Sequence, residues 1–408
     1  MPGNVLFVHN NFPGQFGDLA RALLAKGVRC VAFGQKHAPG APGVAMLRYS
    51  VPRGSTEGIY TLAVRAESDL IRGELTYRAA RRAREEGFVP DVIIGHTGWG
   101  ETLFLDQVFP QARQVLFPEF YYRAGLDVGF DPEFPPPDEL AMLRLKAKNL
   151  TMNLAMSEAD AIVCPTEFQA STLPGIFRPK MRVIHEGVDV VAIAPGAAEP
   201  FVLDDGRVIA PGTPVITHVN RNLEAMRGMH VFARALPTVL AEVPEAQVLI
   251  VGRDGRHGYA GAPPDGLTWR EYCTRGLELD PARVHFLGEV PHARMHDALR
   301  LSAAHVYYTY PFVLSWSLIE AMALGCYVIA SDTPPLHEAI QDGVNGRLLP
   351  FFDTAALSEA LIAACRDPDA ARPLRAAARA TAVEKFDAAQ GRAAWLALLR
   401  ELGLKIPA

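Results

Sequence analysis

Residues 308–350 read YTYPFVLSWSLIEAMALGCYVIASDTPPLHEAIQDGVNGRLLP, and the order of elements in this stretch decides the fold. A short apolar strand breaks at Pro311. A helix carrying Glu320 follows, beginning near Leu314 to Ser317, then a second apolar strand in YVIASD and a turn punctuated by Gly343 and Gly346. A helix that starts where a strand ends directs its backbone N–H groups and positive dipole end outward at the carboxyl edge of the sheet, where a phosphate can sit. Glu320 lies within the first two turns, close enough to share a ligand whose phosphates occupy the helix start. A carboxylate there suits paired sugar hydroxyls, as the acidic residues of dinucleotide folds suit ribose. The plainer reading makes Glu320 a capping or solubilising residue of an ordinary helix.

The same rhythm runs outward in both directions. In the first half NVLFVHN, VRCVAFG, DVIIGH, QVLFPE and AIVCPT read as strands, separated by helical stretches such as FGDLARALLAKG; in the second half the strands are PVITHVN, AQVLIVG, VHFLGE, HVYYTYP and YVIASD. Alternating strands and helices predict an α/β protein with parallel sheets and crossover helices. At 408 residues the chain exceeds one usual hydrophobic core, so two domains are expected. The boundary falls where MRVIHEGVDVVAIAPGAAEP gives out into Gly, Ala and Pro. The expected division is residues 1–195, residues 196–380 and a terminal helix over 381–408 containing WLALLREL. Two such domains facing each other across a central cleft would place ligands at the carboxyl ends of their strands.

Composition is that of a globular chain, 49% hydrophobic and 21% charged, and the formal charge of −5 offers no electrostatic reason to expect nucleic acid as a partner. Five scattered cysteines, mostly in apolar runs, fit buried free thiols in a reducing compartment better than disulfides or a zinc site. The start, MPGNVLFVHNNFPG, lacks the basic opening and apolar length of a signal peptide, and no eighteen-residue apolar run occurs. The expectation is a cytoplasmic protein. A peripheral contact with the inner face of a membrane stays open through Arg78, Arg81, Arg82 and Arg84, although Glu85 and Glu86 neutralise part of that patch and a solvated helix face is the plainer reading.

The stretch around Glu320 resembles the donor-site signature of the family 4 (group 1) retaining glycosyltransferases, in which a proline is followed by Glu, a Gly-rich turn and a second Glu eight positions after the first. The resemblance extends from FVHNNFPGQFGDLARAL through IHEGVD to the terminal helix after EKF. It implies the GT-B architecture, two Rossmann-like domains with the acceptor on the first and the nucleotide sugar on the second. Glu320 matches the second Glu, implied to hold the nucleotide ribose. Phe312 stands where the first Glu, which contacts the donor sugar in the family, should be. Val313, Leu314 and Ser315 match turn positions whose backbone faces the diphosphate, and Ser315 and Ser317 are candidates to hold the sugar in place of the missing Glu, together with Asn11.

Breaking an anomeric carbon to phosphate bond demands stabilisation of charge growing on the leaving diphosphate, which fixed cations and N–H dipoles supply. Arg221 and Arg227 in HVNRNLEAMRGMHVFARAL match the family's Arg and Lys at the diphosphate, with slightly longer spacing; a guanidinium can fork onto two oxygens. Glu289 and Val290 match the turn that meets the base through backbone atoms. No carboxylate pair with metal-ligand spacing accompanies the cations, and the resemblance implies that such cationic side chains stand in place of a divalent ion, so no metal ligand and no cofactor are expected, only a nucleoside diphosphate sugar co-substrate, with UDP- or GDP-sugars first in line. On the acceptor side His96 matches the family histidine near the reacting sugar, a lone structural histidine being the alternative. Trp99 offers a plate for a sugar ring. Gly14 and Gly17 stand in for the family's Gly-rich loop near the donor phosphate, and Glu119, Tyr121 and Arg123 in FPEFYYR are candidate acceptor contacts, the acceptor being a glycan, a lipid-linked sugar or a small molecule.

The leading expectation is therefore a retaining, metal-independent glycosyltransferase acting by same-face attack, with no enzymic general base. A sugar nucleotide epimerase on the same architecture would need acid/base groups such as His185 and Glu186. A non-catalytic nucleotide-sugar-binding protein is the reading that Phe312 invites.

Overall fold

The computed structural model describes residues 2–259 and 261–407. Backbone proximity divides the chain into two compact units, one holding the chain up to Glu186 with the segment from Ala388 onward, the other Gly187–Asp387. The first division falls inside IHEGVD.

In the first unit the strands are β1 (Asn4–Val8), β2 (Arg29–Gln35), β3 (Ala45–Tyr49), β4 (Val92–His96), β5 (Arg113–Phe117), β6 (Ala161–Cys164) and β7 (Met181–Val183), with helices α1 (Gly17–Ala25), α2 (Val64–Glu85), α3 (Ala141–Ala147), α4 (Leu150–Glu158) and α5 (Glu167–Thr172). The strands form one parallel sheet in the order β3-β2-β1-β4-β5-β6-β7. A sheet covered on both faces needs strands that are apolar throughout. Val5, Leu6, Phe7 and Val8 accordingly have no exposed surface. Alternation sends Val5 and Phe7 to a core with Phe16, Leu19 and Leu23, and Leu6 and Val8 to the opposite core with Phe33, Ala80 and Phe88.

The second unit begins with a small antiparallel pair, β8 (Phe201–Val202) and β9 (Val208–Ile209). Strands β10 (Val215–Asn222), β11 (Gln247–Arg253), β12 (Val284–Gly288), β13 (Ser302–Tyr307), β14 (Val328–Ser331) and β15 (Arg347–Leu349) follow, with helices α6 (Met229–Glu242), α7 (Trp269–Thr274), α8 (His292–Leu301), α9 (Trp316–Ala323), α10 (Thr354–Arg366) and α11 (Arg372–Lys385). They form a parallel sheet in the order β12-β11-β10-β13-β14-β15. Both sheets therefore reverse direction next to a central strand, between β1 and β4 and between β10 and β13, and the crevice at such a switch point is where open α/β sheets bind ligands.

The helix carrying Glu320 is α9, starting where the sequence placed it. Leu318, Ile319 and Met322 on it are fully buried and pack with Ala378, Ala382 and Phe386 of and just after α11. Arg379 of α11 donates to the carbonyls of Ala323 at 2.9 Å and Ile193 at 2.8 Å, so a guanidinium closes the carboxyl end of α9, where backbone acceptors lack helical partners. The terminal helical stretch is two helices rather than one, broken at Phe386 and Asp387. The Phe386 carbonyl is taken by the N–H of Val188 at 2.9 Å, after which α12 (Ala388–Glu401) returns to the first unit. Its Trp395, Leu398 and Leu399 join the core of β1 and α1.

All five cysteines are buried and free. On α2, Arg78 pairs with Glu74 and Arg81 with Glu85, both one turn away, while Arg84 donates to the Val108 carbonyl at 2.9 Å. That is the economy of a solvated helix face. Among the described residues no helix is long and apolar enough to cross a membrane.

Candidate functional site

Each unit gathers polar groups at its own switch point. In the first, His9 follows β1 and His96 ends β4, the two strands at which the order turns. Nδ1 of His9 accepts the Asn11 N–H and Nδ1 of His96 accepts the Gly98 N–H, each at 3.0 Å. A neutral ring so engaged carries its proton on Nε2. Nε2 of His96 points to Glu119, 3.5 Å from its Oε2, and Trp99 stacks on the His96 ring with centroids 4.2 Å apart. His9 meets both rings edge-on at 5.3 Å. Burial, and then the neighbouring His96, push the His9 pKa down to about 3, so it is a neutral donor.

Gly14 holds φ +47°, and a Cβ at that position would lie 2.6 Å from Nε2 of His9. Glycine there serves two ends, a left-handed turn and close approach to the ring. Gly17 opens α1. The structure thus brings Gly14, His96, Trp99 and Glu119 to one place around His9. Tyr121 lies elsewhere, in the core with Leu103 and Met152, its hydroxyl accepting from Asn153 at 3.1 Å and the exposed Arg123 guanidinium 5.7 Å from its ring centroid. The sequence reading passed over His9, although a histidine closing an apolar strand in FVHNN was its visible signal. It also passed over Glu101, buried in GWGET, whose Oε1 accepts the Tyr49 hydroxyl at 2.7 Å and whose carboxyl is pushed up by burial. His185 and Glu186 stand at the end of the first unit, where Gly391 of α12 packs against the His185 carbonyl.

In the second unit Arg221 is exposed at the end of β10. Arg253, ending β11, pairs with Glu289 at 2.6 Å. The Glu289 carboxyl is held below its ordinary range by Arg253 first and by Arg221 as well, so two arginines and one carboxylate share this edge. Arg253 is a residue the sequence reading did not select. Val290 is half-buried against the apolar cluster that contains Val219, Val251 and Met295.

Arg227 is buried, with 6% of its surface exposed. Its Nη1 donates to the Tyr307 hydroxyl at 3.2 Å, the Thr309 hydroxyl at 3.0 Å and the Val313 carbonyl at 3.1 Å. Gly228 follows with φ +69° and no room for a Cβ against Tyr308. Phe312 is 4% exposed, 5.0 Å from the Tyr259 ring and 5.5 Å from the Arg227 guanidinium. Beyond buried Val313 and half-buried Leu314, the Ser315 N–H is taken by the Tyr307 hydroxyl at 2.8 Å. The Ser315 and Ser317 hydroxyls bond each other at 2.6 Å, so the Ser315 side chain does not cap α9. Ser317 also reaches the Val219 carbonyl at 3.4 Å, two residues before Arg221. The start of α9 and the end of β10 are thereby neighbours.

Glu320 is 5% exposed. Its Oε2 accepts from Nε2 of His296 at 3.0 Å, and Nδ1 of His292 stands 3.6 Å from Oε1. Neither histidine was singled out in the sequence, although PHARMHDAL sets them one helical turn apart.

Two family models match the chain, "Glycosyl transferase family 4 group" over residues 26–193 and "Glycosyl transferases group 1" over residues 213–367. The phosphatidyl-myo-inositol mannosyltransferase of Mycobacterium leprae is 35% identical over 176 residues, 42% of this chain and 42% of that protein. The D-inositol 3-phosphate glycosyltransferase of Nocardia farcinica is 30% identical over 244 residues, 58% of this chain and 52% of that protein. The chain spans about half the length of these relatives. The sucrose-phosphate synthase structure from Thermosynechococcus elongatus superposes with a TM-score of 0.70 at 19% identity, over 98% of this chain and 99% of that one. Anabaena HepE in complex with UDP and glucose gives a TM-score of 0.63 at 16% identity, over 98% and 100%. At such identities the likeness speaks for the fold. With one family model on each unit and this architecture over nearly the whole chain, the protein belongs to the family 4, group 1 glycosyltransferases and has the GT-B fold.

Proposed function

We propose that this protein transfers a sugar, with retention of configuration, from a nucleoside diphosphate sugar to a hydroxyl acceptor. The observation that carries the reading is the arrangement at the second switch point, where a helix start without a side-chain cap lies beside the strand end bearing exposed Arg221. Helix N–H groups and a guanidinium together suit a diphosphate, and they act most strongly as the leaving group gains charge. Glu320 takes the ribose hydroxyls. Glu289 and Val290 flank the base. Arg227 sets the loop from Tyr307 to Val313 whose backbone approaches the phosphates. In this reading the cationic charge comes from arginine and helix dipole, so the transfer asks for no divalent ion.

On the first unit, His96 and Trp99 with His9, Gly14 and Glu119 form the surface proposed to meet the reacting sugar and its acceptor. The acceptor hydroxyl attacks on the face from which the diphosphate departs, and its proton passes to a phosphate oxygen. The relatives' names put inositol-bearing compounds into the acceptor panel, and buried free thiols suit a reducing compartment such as the cytoplasm. A second reading, nucleotide-sugar binding without turnover, is favoured by one observation: Phe312 fills the place of a polar sugar contact and is buried against Tyr259 and Arg227.

The test is calorimetry of the purified protein, without added metal, against UDP, GDP, ADP and their common sugar conjugates, followed by a transfer assay. Preference for one base strengthened by one sugar, with turnover, supports transfer. Tight diphosphate binding that no sugar improves, without turnover, supports the second reading. No binding to any of them refutes both.

A further inference from the structure

The second unit brings three ligating side chains to one point. His292 and His296 stand at i and i+4 of α8 and so share a helix face. Glu320 meets them from α9. The ligating atoms of all three lie within 4.8 Å of one another. The separations from the carboxylate oxygens are 3.0 Å to His296 and 3.6 Å to His292. Two ligands each about 2.0–2.1 Å from a tetrahedral ion lie about 3.3 Å apart, so each carboxylate–imidazole separation, one through each carboxylate oxygen, is close to what a shared ion requires, and the histidine pair within 4.8 Å needs only a side-chain adjustment to meet it.

The three differ in freedom in the way an accessible site needs. Glu320 is buried on a helix anchored by α11, and the side chain of His296 is 14% exposed. The side chain of His292 is 76% exposed, so an ion can enter from solvent and a change of one exposed rotamer completes the set. Three protein ligands with an open fourth position are the pattern of accessible zinc sites. Imidazole selects for zinc-like ions, whereas magnesium and calcium seek oxygen. A divalent ion would also neutralise the charge of a carboxylate held out of water.

We propose that His292, His296 and Glu320 form a binding site for one divalent transition-metal ion of the zinc class. The site stands on this chain's own side chains and does not depend on which reaction the protein catalyses.

The experiment is calorimetric titration of the full-length, metal-stripped protein with Zn²⁺ alone, beside His292→Ala and His296→Ala, with Mg²⁺ as the oxygen-seeking control and melting curves recorded with and without zinc. The expected result is one ion per chain, affinity reduced at least about 10-fold in each variant, and a zinc-dependent rise in Tm in the parent that both variants lack. His292→Ala removes an exposed side chain and should melt like the parent without metal, which keeps loss of binding separate from loss of fold. X-ray absorption on the zinc-loaded parent should show nitrogen scatterers from two imidazoles. Absence of zinc binding, equal binding by both variants, or Mg²⁺ bound as tightly as Zn²⁺ would each overturn the proposal.

Discussion

Nη1 of Arg227 donates to the Val313 carbonyl at 3.1 Å, tying the turn after β10 to the loop after β13 across the switch point. Because the same nitrogen serves the Tyr307 and Thr309 hydroxyls, this buried cation acts as a post for the loop leading into α9. Arg227→Met keeps most of the side-chain volume and strips these acceptors of their donor. Leaving buried acceptors unsatisfied costs about 1–3 kcal/mol, so unfolding by urea should show a loss of at least about 2 kcal/mol, part of it recovered in Arg227→Lys. Unchanged stability with weaker nucleotide binding would instead make Arg227 a phosphate contact alone.

Three buried imidazoles predict how stability responds to acid. Burial lowers the pKa of His9 and His305 to about 3 and of His218 to about 4, against about 6.5 in an unfolded chain. Between those values the unfolded chain binds protons that the folded one refuses. Stability is therefore complete above about pH 6.5 and falls as pH drops toward 3–4, each group adding a slope of about 1.4 kcal/mol per pH unit. Glu101, whose carboxyl burial raises, works in the opposite sense, losing stability as pH climbs through its shifted range. The difference between parent and His9→Gln isolates one imidazole: the variant's urea midpoint should depend less on pH below 6.5, and identical profiles would mean that His9 takes up its proton in the folded state.

How much was legible follows from what each signal is made of. Strand stretches such as 5–8 of β1 and 248–251 of β11 are buried on both faces and announce themselves as apolar runs. Ala45–Tyr49 and Arg347–Leu349 lie at sheet edges, carry Arg48 and Arg347, and have no such run. The helix start before Glu320 and the clustering of His96 with Trp99 were readable because a strand end and its following turn are local. Arg253 and Glu289 meet only because β11 and β12 are neighbours, and His292 reaches Glu320 only because α8 packs beside α9. Contacts between elements belong to the fold and have no local signature. The break at Phe386 and Asp387 was hidden for the same reason, since what ends α11 there is pairing with Val188, far away in sequence.

Gly14 offers a way to perturb the first unit alone. A methyl group at φ +47°, 2.6 Å from the His9 ring, must displace that ring, and left-handed backbone costs a residue with Cβ roughly 1–2 kcal/mol. Gly14→Ala should slow transfer and lower the Tm while leaving UDP or GDP affinity within twofold, because the groups proposed to hold the nucleotide sit on the other unit. A large fall in nucleotide affinity would show that this loop contributes to donor binding itself.

Arg221 is the exposed cation at the end of β10, and its charge is felt by Glu289. If it acts on the departing diphosphate, its worth is greatest in the transition state. Arg221→Ala should then lower the steady-state transfer rate by roughly 10²-fold or more, with a smaller change in ground-state nucleotide affinity. A near-normal rate would move the role to Arg253, and Arg253→Ala is the variant that would then be slow.

Glu320 joins the two proposals in one titration. As the ribose acceptor it should contribute about 1–3 kcal/mol to nucleotide binding, the scale of hydrogen bonds to a charged group, so Glu320→Ala should weaken UDP or GDP by that amount. A zinc ion on His292, His296 and Glu320 draws on the same carboxylate oxygens and leaves fewer of their lone pairs for ribose hydroxyls. Zinc just sufficient to fill the parent's site should therefore bring the parent's nucleotide affinity down toward that of Glu320→Ala, and should have a clearly smaller effect on His292→Ala at the same concentration. Tighter nucleotide binding in zinc would argue instead that the open fourth position takes a ligand oxygen, and Glu320 would then hold the ion and leave the ribose to other groups.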